Sequence, residues 1–232
     1  MCFSPEASFA GGVIIASIGI FTIKKVHKPS QLVFASIPLF FGIQQIAEGF
    51  VWITTPLPEY IYFQKFFTYM FLIMADVLWP LIIPLSVLLM EKAKKKIKIL
   101  KVIFGMGLLL SIYYAYCFWF YSVTPQIMDY HVQYNTDFPK SVAIPAFIVY
   151  LFVTITPLFI SSIKKMKWLG ILMFSSCLVS VVFFTQYLAS VWCFFAALIS
   201  GVIFWILRDS KRIFHLEKLN ALKEQLKSLN PL

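Results

Sequence analysis

Two carboxylic acids, Glu48 and Asp76, lie inside long apolar runs of the sequence. A carboxylate at the centre of a membrane helix costs about 2.5 to 3.5 kcal/mol on insertion scales, so each of these acids is a candidate functional residue. Gln44 precedes Glu48 by four residues, which places both side chains on one face of a helix, and Gln45 lies beside them. These residues are predicted to line an outward-facing polar cavity that binds a solute, an ion or a proton. The alternative is that each acid is protonated or hydrogen-bonded to a neighbouring helix and serves packing.

Cysteine and histidine positions indicate neither a metal centre nor a disulfide framework. The four cysteines have no CxxC or cysteine–histidine ligand spacing. All three histidines fall in predicted loops or in the C-terminal tail, whereas a metal-dependent intramembrane hydrolase needs several ligands converging on one ion. No metal and no cofactor is therefore predicted.

The composition is that of an integral membrane protein. Of the 232 residues, 60% are apolar and 13% are charged, against about 25% charged in soluble domains. The net charge of +10 is concentrated beside the apolar runs, which is typical of membrane proteins, so no nucleic acid partner is expected. The predicted partner is the lipid bilayer, together with a small-molecule or lipid ligand.

Seven apolar runs have the length of about 17 to 25 residues that a membrane-spanning helix needs. The predicted fold is therefore all-α, a polytopic protein with seven transmembrane helices. The last two runs are separated only by a turn near Ala189, because the 40 residues from Trp168 to Leu207 would otherwise form about 60 Å of helix. The runs are 7–23, 32–54, 66–90, 97–121, 142–163, 168–188 and 190–207.

The distribution of basic residues predicts the orientation. With seven spans and the N-terminus outside, 18 of the 20 Lys and Arg residues fall on the cytoplasmic side, and only Lys65 and Lys140 fall outside. The chain then divides into a seven-helix transmembrane domain, 1–207, and a basic cytoplasmic tail, 208–232. The tail has leucines at helical spacing and is expected to lie on the inner leaflet; pairing as a short coiled coil in a homo-oligomer is the alternative.

Several further patterns concern packing and internal symmetry. Ser8, Gly12 and Ala16 recur at every fourth position, which is typical of a closely packed membrane helix. Pro80 and Pro84 in the third span free backbone carbonyls that another helix or water must satisfy, either at a binding region or at a simple bend. Residues 22–28 resemble residues 162–168, as a repeat of three plus one plus three helices would require, although lysine pairs are common at every inner boundary.

The N-terminal segment Met-Cys-Phe-Ser-Pro-Glu-Ala-Ser-Phe resembles the M-C-F-S-x-x-A-S-F start of an uncharacterised bacterial family of small multi-span membrane proteins. The resemblance extends along most of the chain and implies no activity. Further matching segments are Phe41-Gly42, Gln44-Gln45, Glu48-Gly49, Trp79-Pro80 and Trp192-Cys193-Phe194-Phe195-Ala196-Ala197 with Ser200.

The predicted topology places a second group of residues near Glu48. Cys2, Gln186, Trp192 and Cys193 all fall toward the outer face. We therefore expect one outer site around Cys2, Glu48 and Cys193, with Asp76 deeper. The two cysteines could form a disulfide, bind a soft metal or carry thiol chemistry.

Three functions are compatible with these features. The first is a carrier or binding protein for a small solute or lipid. The second is an intramembrane enzyme that acts on a lipid or thiol, with Cys2 or Cys193 as nucleophile and Glu48 as acid or base. The third is an assembly subunit without chemistry of its own. All three place the chain as a multi-pass protein in a cell membrane, expected to be a bacterial inner membrane.

Overall fold

A computed structural model describes residues 4–128, 131–183 and 195–211 of the chain. These residues form helices and one hairpin of two antiparallel strands. The elements are α1 (Pro5–Ile23), α2 (Leu32–Thr54), α3 (Ile61–Leu72), a π-helical segment (Ile73–Leu78), α4 (Trp79–Met90), α5 (Lys94–Phe120), β1 (Val123–Met128), β2 (His131–Thr136), α6 (Lys140–Ile160), α7 (Met166–Phe183) and α8 (196–211), with short 3₁₀ turns at Pro29–Gln31 and Pro58–Tyr60.

The helices agree with the predicted spans. Within the described residues, six helical stretches are long and apolar enough to cross a membrane, and they overlap the first six predicted spans. The predominantly helical architecture is thus confirmed, with several helices long and apolar enough for a multi-pass membrane protein. Helix α8 overlaps the seventh predicted span, but the turn near Ala189 and most of the predicted tail lie outside the described residues, so the count of seven stays a prediction.

Helices α1 and α2 pack against each other through small residues. A Cβ atom added to Gly42 would lie 2.5 Å from the backbone nitrogen of Ala16, and one added to Gly12 would lie 3.0 Å from the carbonyl oxygen of Gly42. Gly19 likewise lies directly against the backbone of Leu39. The predicted close packing at Gly12 and Ala16 is therefore confirmed, and the resulting pair holds α2 firmly beside α1.

The third span is one continuous helical stretch with a widened middle. The π-helical segment ends immediately before Trp79 and Pro80. Because proline has no N–H, the carbonyl of Asp76 lacks its usual α-helical donor, and a shift to i→i+5 bonding accommodates the missing bond. Pro84 removes the donor for the carbonyl of Pro80 in the same way, and Gly107 of α5 packs directly against that carbonyl.

A β-hairpin follows α5, between the fourth and fifth predicted spans, and was not predicted. Strands β1 and β2 pair from Val123 with Thr136 to Met128 with His131. Val132 is fully buried against Val51 and Trp52, near the end of α2. The sequence conceals this element because its two strands are short and mostly polar on one face, a weak pattern beside the long apolar helices.

The opposite end of the bundle is held together by Glu91. Its Oε1 accepts hydrogen bonds from the backbone N–H groups of Lys92 and Ala93, at 2.8 and 2.9 Å, and its Oε2 accepts one from Ser162 at 2.7 Å. The carboxylate therefore joins the loop before α5 to the loop before α7. Nearby, Lys165 forms an ion pair with Asp209 of α8 at 2.6 Å.

The main apolar core lies between these two ends and draws on most of the helices. Its members include Phe34 of α2, Val87 of α4, Val153 of α6, Leu169 of α7 and Ile203 of α8. Each of these side chains is at most 2% exposed. Helix α8 is thus an integral part of the bundle.

Replacement of Gly107 by alanine should destabilise the bundle. The new methyl group would overlap the Pro80 carbonyl, and overpacking of this kind typically costs about 1–3 kcal/mol. Gly105→Ala is the matched control on the same helix, since nothing lies within 4 Å of its added Cβ. Thermal unfolding in detergent micelles should show a lower midpoint for Gly107→Ala and an unchanged or higher one for Gly105→Ala; equal midpoints would contradict the close contact.

Acid should weaken the clamp formed by Glu91, which lies outside the spans. Burial alone would raise the pKa of Glu91, but the hydrogen bonds from Ala93, Ser162 and Lys92 outweigh it and lower the pKa from 4.5 to about 2. Because the folded-state pKa is depressed, the stabilisation is complete above pH 4.5 and is lost as the pH falls toward about 2. Glu91→Gln should lower the unfolding midpoint at neutral pH. The difference in midpoint between this variant and the unmodified protein should become smaller as the pH falls from 4.5 toward about 2. A difference that does not change with pH would exclude a stabilising role for the charged carboxylate.

Candidate functional site

Gln44 connects α2 to both ends of the π-helical segment. Its Nε2 donates a hydrogen bond to the carbonyl of Phe71 at 3.4 Å, and its Oε1 accepts one from the indole N–H of Trp79 at 2.9 Å. Phe71 lies just before the segment and Trp79 just after it. The Trp79 ring also stacks on Phe41 of α2, with centroids 4.1 Å apart. One amide side chain therefore spans the widened part of the third span.

Glu48 lies one turn further along α2, six residues before the helix ends at Thr54, as predicted. The Nε2 atom of Gln45 donates a hydrogen bond to the Oε2 atom of Glu48 at 2.7 Å. Gln44 and Gln45 are each 1% exposed and Glu48 is fully buried. The predicted polar residues of α2 thus form a polar layer that is closed to solvent.

The antiparallel register of α2 and α3 adds a residue to this layer. Gln44 bonds to Phe71, so Glu48, one turn later on α2, comes level with Thr68, about one turn earlier on α3. Thr68 is fully buried, and its Oγ1 has no hydrogen-bond partner among the described residues. Sequence reasoning missed it, because a single threonine in an apolar helix usually bonds to its own backbone.

Neighbouring helices supply donors to the carbonyls of the π-helical segment. Tyr150 of α6 donates its hydroxyl to the carbonyl of Ala75 at 2.8 Å, and Ser111 of α5 donates to that of Val77 at 2.8 Å. These two carbonyls flank that of Asp76, whose donor Pro80 removes, so the expectation that another helix or water satisfies the freed carbonyls stays a prediction. The donors themselves were not predicted, since neither residue differs in the sequence from its many tyrosine and serine neighbours.

Asp76 occupies the middle of this supported segment. Its side chain is half-buried and makes no hydrogen bond or ion pair with any residue that the structure describes. It lies close enough to Tyr114 of α5 for the two groups to interact electrostatically. The backbone of the segment is thus hydrogen-bonded to α5 and α6, while the carboxyl group of Asp76 makes no hydrogen bond with a described residue.

The hairpin packs over the polar layer at the end of the bundle where α2 ends. The ring of Tyr134 stacks on Phe71 with centroids 5.0 Å apart and an interplanar angle of 15°. Val123 and Phe138 pack in the same cluster as Phe71. The hairpin therefore closes the polar layer at this end of the bundle.

Several predicted site residues lie outside the described part of the chain: Cys2, Gln186, Trp192 and Cys193. The outer site built on the two cysteines stays a prediction for that reason. Cys117 and Cys177 are described and are buried free thiols. In the described ranges, no group of three or more His, Cys, Asp or Glu side chains is arranged to hold a metal ion.

A family model described as a family of unknown function (DUF6629) matches residues 1–216. No curated protein and no solved structure matches the chain.

Removal of the Tyr150 hydroxyl should weaken the support of the π-helical segment. Tyr150→Phe preserves the ring but leaves the buried carbonyl of Ala75 without this donor; hydrogen bonds between membrane helices contribute about 0.6 kcal/mol on average. Tyr116→Phe is the control, because Tyr116 of α5 is 53% exposed. The unfolding midpoint should fall for Tyr150→Phe alone. If both variants unfold like the unmodified protein, the bond does not support the segment.

Proposed function

The chain belongs to a family of unknown function (DUF6629), and from its intramembrane site we propose that it binds a small polar solute within the membrane and carries it across. The binding groups are Asp76 and the polar layer of Gln44, Gln45 and Glu48. This proposal selects the carrier among the functions that the sequence leaves open.

The observation that carries the proposal is the state of Asp76. An acid at membrane depth is expensive, and one that serves packing is expected to be hydrogen-bonded to a neighbouring helix. Asp76 has no such bond within the described residues, although the backbone around it is bonded to α5 and α6. A solute with a positive charge or hydrogen-bond donors would give this carboxylate its partner.

Glu48 and the hairpin supply the second half of the argument. Glu48 lies one turn of α2 before Val51 and Trp52, against which Val132 packs, and therefore nearer to the hairpin than Asp76 does. This packing supports a state in which the polar layer is closed at the hairpin end of the bundle, which we propose to be the outer end. Movement of the hairpin would connect the polar layer with the outer surface, and Gln44 would link that layer to the segment that holds Asp76.

The proposal includes a topology. We place the N-terminus outside and the C-terminus in the cytoplasm, with seven spans and α8 as the last, in the cell membrane of a bacterium. The support is the charge distribution, with 18 of 20 basic residues on one side. A parallel repeat of three helices on each side of α5 would support the carrier.

The test begins with a ligand screen on the purified full chain. Its unfolding midpoint is measured in the presence of alkali cations, small amines, amino acids and sugars. At least one class should raise the midpoint in proportion to its concentration, because a ligand that binds only the folded state stabilises it. Asp76→Asn should weaken that binding about 10- to 100-fold, since hydrogen bonds to charged groups contribute about 1.5–3 kcal/mol.

Two variants complete the experiment. Glu48→Gln should weaken binding of the same solute, while Asp137→Asn, which changes an exposed carboxylate in the loop after the hairpin, should leave it unaltered. Uptake of the bound solute into proteoliposomes then distinguishes a carrier from a binding protein. The proposal fails if no class stabilises the chain, or if Asp76→Asn binds the solute as tightly as the unmodified protein. If the purified chain is stable but no class of compound binds to it, the assembly subunit becomes the favoured function.

A further inference from the structure

An exposed group of lysines lies at the end of the molecule opposite the hairpin. Lysines of the loop before α5 and of its first two turns extend into solvent, and so do two lysines near the start of α7. None of these ammonium groups makes a hydrogen bond or ion pair with a residue that the structure describes. We call this group the lysine patch; it consists of Lys92, Lys94, Lys95, Lys98, Lys101, Lys164 and Lys167.

The fold brings the two parts of the patch together. Glu91 bonds to the backbone of Lys92 and Ala93 through one oxygen and to that of Ser162 through the other. The two lysine-bearing loops are thereby tied side by side. The carboxylate that joins them is 8% exposed, and both its oxygens are occupied by backbone N–H groups, so no ammonium group pairs with it. The charges of the patch are left uncompensated among the described residues.

The length of α5 sets the depth of the patch. Its 27 residues make about 40 Å of helix, whereas the hydrocarbon core of a bilayer is about 30 Å thick. The excess of about 10 Å equals the rise from Lys94 to Lys101. Beyond these turns the exposed side chains become apolar, with Val102 66% exposed, and Trp168 beside Lys167 is 63% exposed. Tryptophan favours the membrane interface, so the patch lies at the level of the lipid headgroups.

We propose that the lysine patch binds the headgroups of anionic phospholipids in the leaflet at this end of the bundle. Clusters of four to eight basic residues directly beside a membrane span have the charge and position for such binding. The negative phosphodiester groups supply the counter-charge that the patch lacks. This binding is independent of the solute site, which lies at the level of Asp76 and Glu48.

The test compares two lipids with the same chains and different headgroup charge. Dioctanoyl phosphatidylglycerol, dioctanoyl phosphatidylcholine and inorganic phosphate are titrated against the full chain in a neutral detergent, and binding is followed by thermophoresis. We expect the anionic lipid to bind at least about tenfold more tightly than the zwitterionic one, with a difference that shrinks as salt screens the exposed charges. Inorganic phosphate should not displace it.

Matched charge variants locate the site. Lys95→Gln/Lys98→Gln should weaken phosphatidylglycerol binding about 25-fold, since one basic residue near an anionic surface contributes about 1 kcal/mol, or about fivefold. Lys95→Arg/Lys98→Arg keeps the charge and should keep the affinity. Lys65→Gln/Lys140→Gln removes two exposed charges from the other end of the bundle and should change nothing. All four positions are exposed, so unfolding midpoints without lipid should agree.

Three results would overturn the proposal. Equal affinity for the two lipids would exclude recognition by charge. An equal effect of the patch and control substitutions would show that net charge alone acts. Displacement by inorganic phosphate would identify a site for free anions instead of a lipid surface.

Discussion

The structure depends on how the carbonyls of the third span find hydrogen-bond donors. A membrane interior has no water to satisfy them, and each unsatisfied group costs several kcal/mol. Pro80 and Pro84 remove two backbone donors from this span. Three neighbouring helices donate side-chain hydrogen bonds to other carbonyls of the same span: Gln44 of α2 to Phe71, Tyr150 of α6 to Ala75 and Ser111 of α5 to Val77. The helices around the span are therefore held by side-chain hydrogen bonds to its backbone as well as by apolar packing.

This constraint explains which features were predictable. The spans follow from hydropathy, because backbone bonding in lipid allows few alternatives to a helix. Gln44, Glu48 and Asp76 were identified as candidates because polar residues are rare within such runs. The bonds from Tyr150 and Ser111 were not predictable, because they depend on which helices are neighbours and on the rotation of each helix. Thr68 required the register between α2 and α3, which a single sequence does not contain.

The hairpin illustrates a different limit of sequence reasoning. Its twelve paired residues include only a few strongly apolar side chains, and its position over α3 depends on Val132 and Tyr134 reaching Trp52 and Phe71. Those partners belong to helices that were already assigned to the membrane, so no local pattern indicates the contact. The role of Glu91 was unpredictable for the same reason. In the sequence it is one acidic residue in a loop, and its contact with Ser162 depends on how the two loops are placed in the fold.

The positions of these contacts indicate where the bundle can change shape. At one end, Glu91 and the ion pair of Lys165 with Asp209 tie loops and α8 together; at the other, the hairpin packs over α3. Between them, the π-helical segment is held partly by side-chain hydroxyls, which can exchange acceptors without unfolding the helix. Helices bend most readily where their backbone bonding is interrupted. Asp76 therefore lies at the point where solute binding and a change of helix geometry would be coupled most directly.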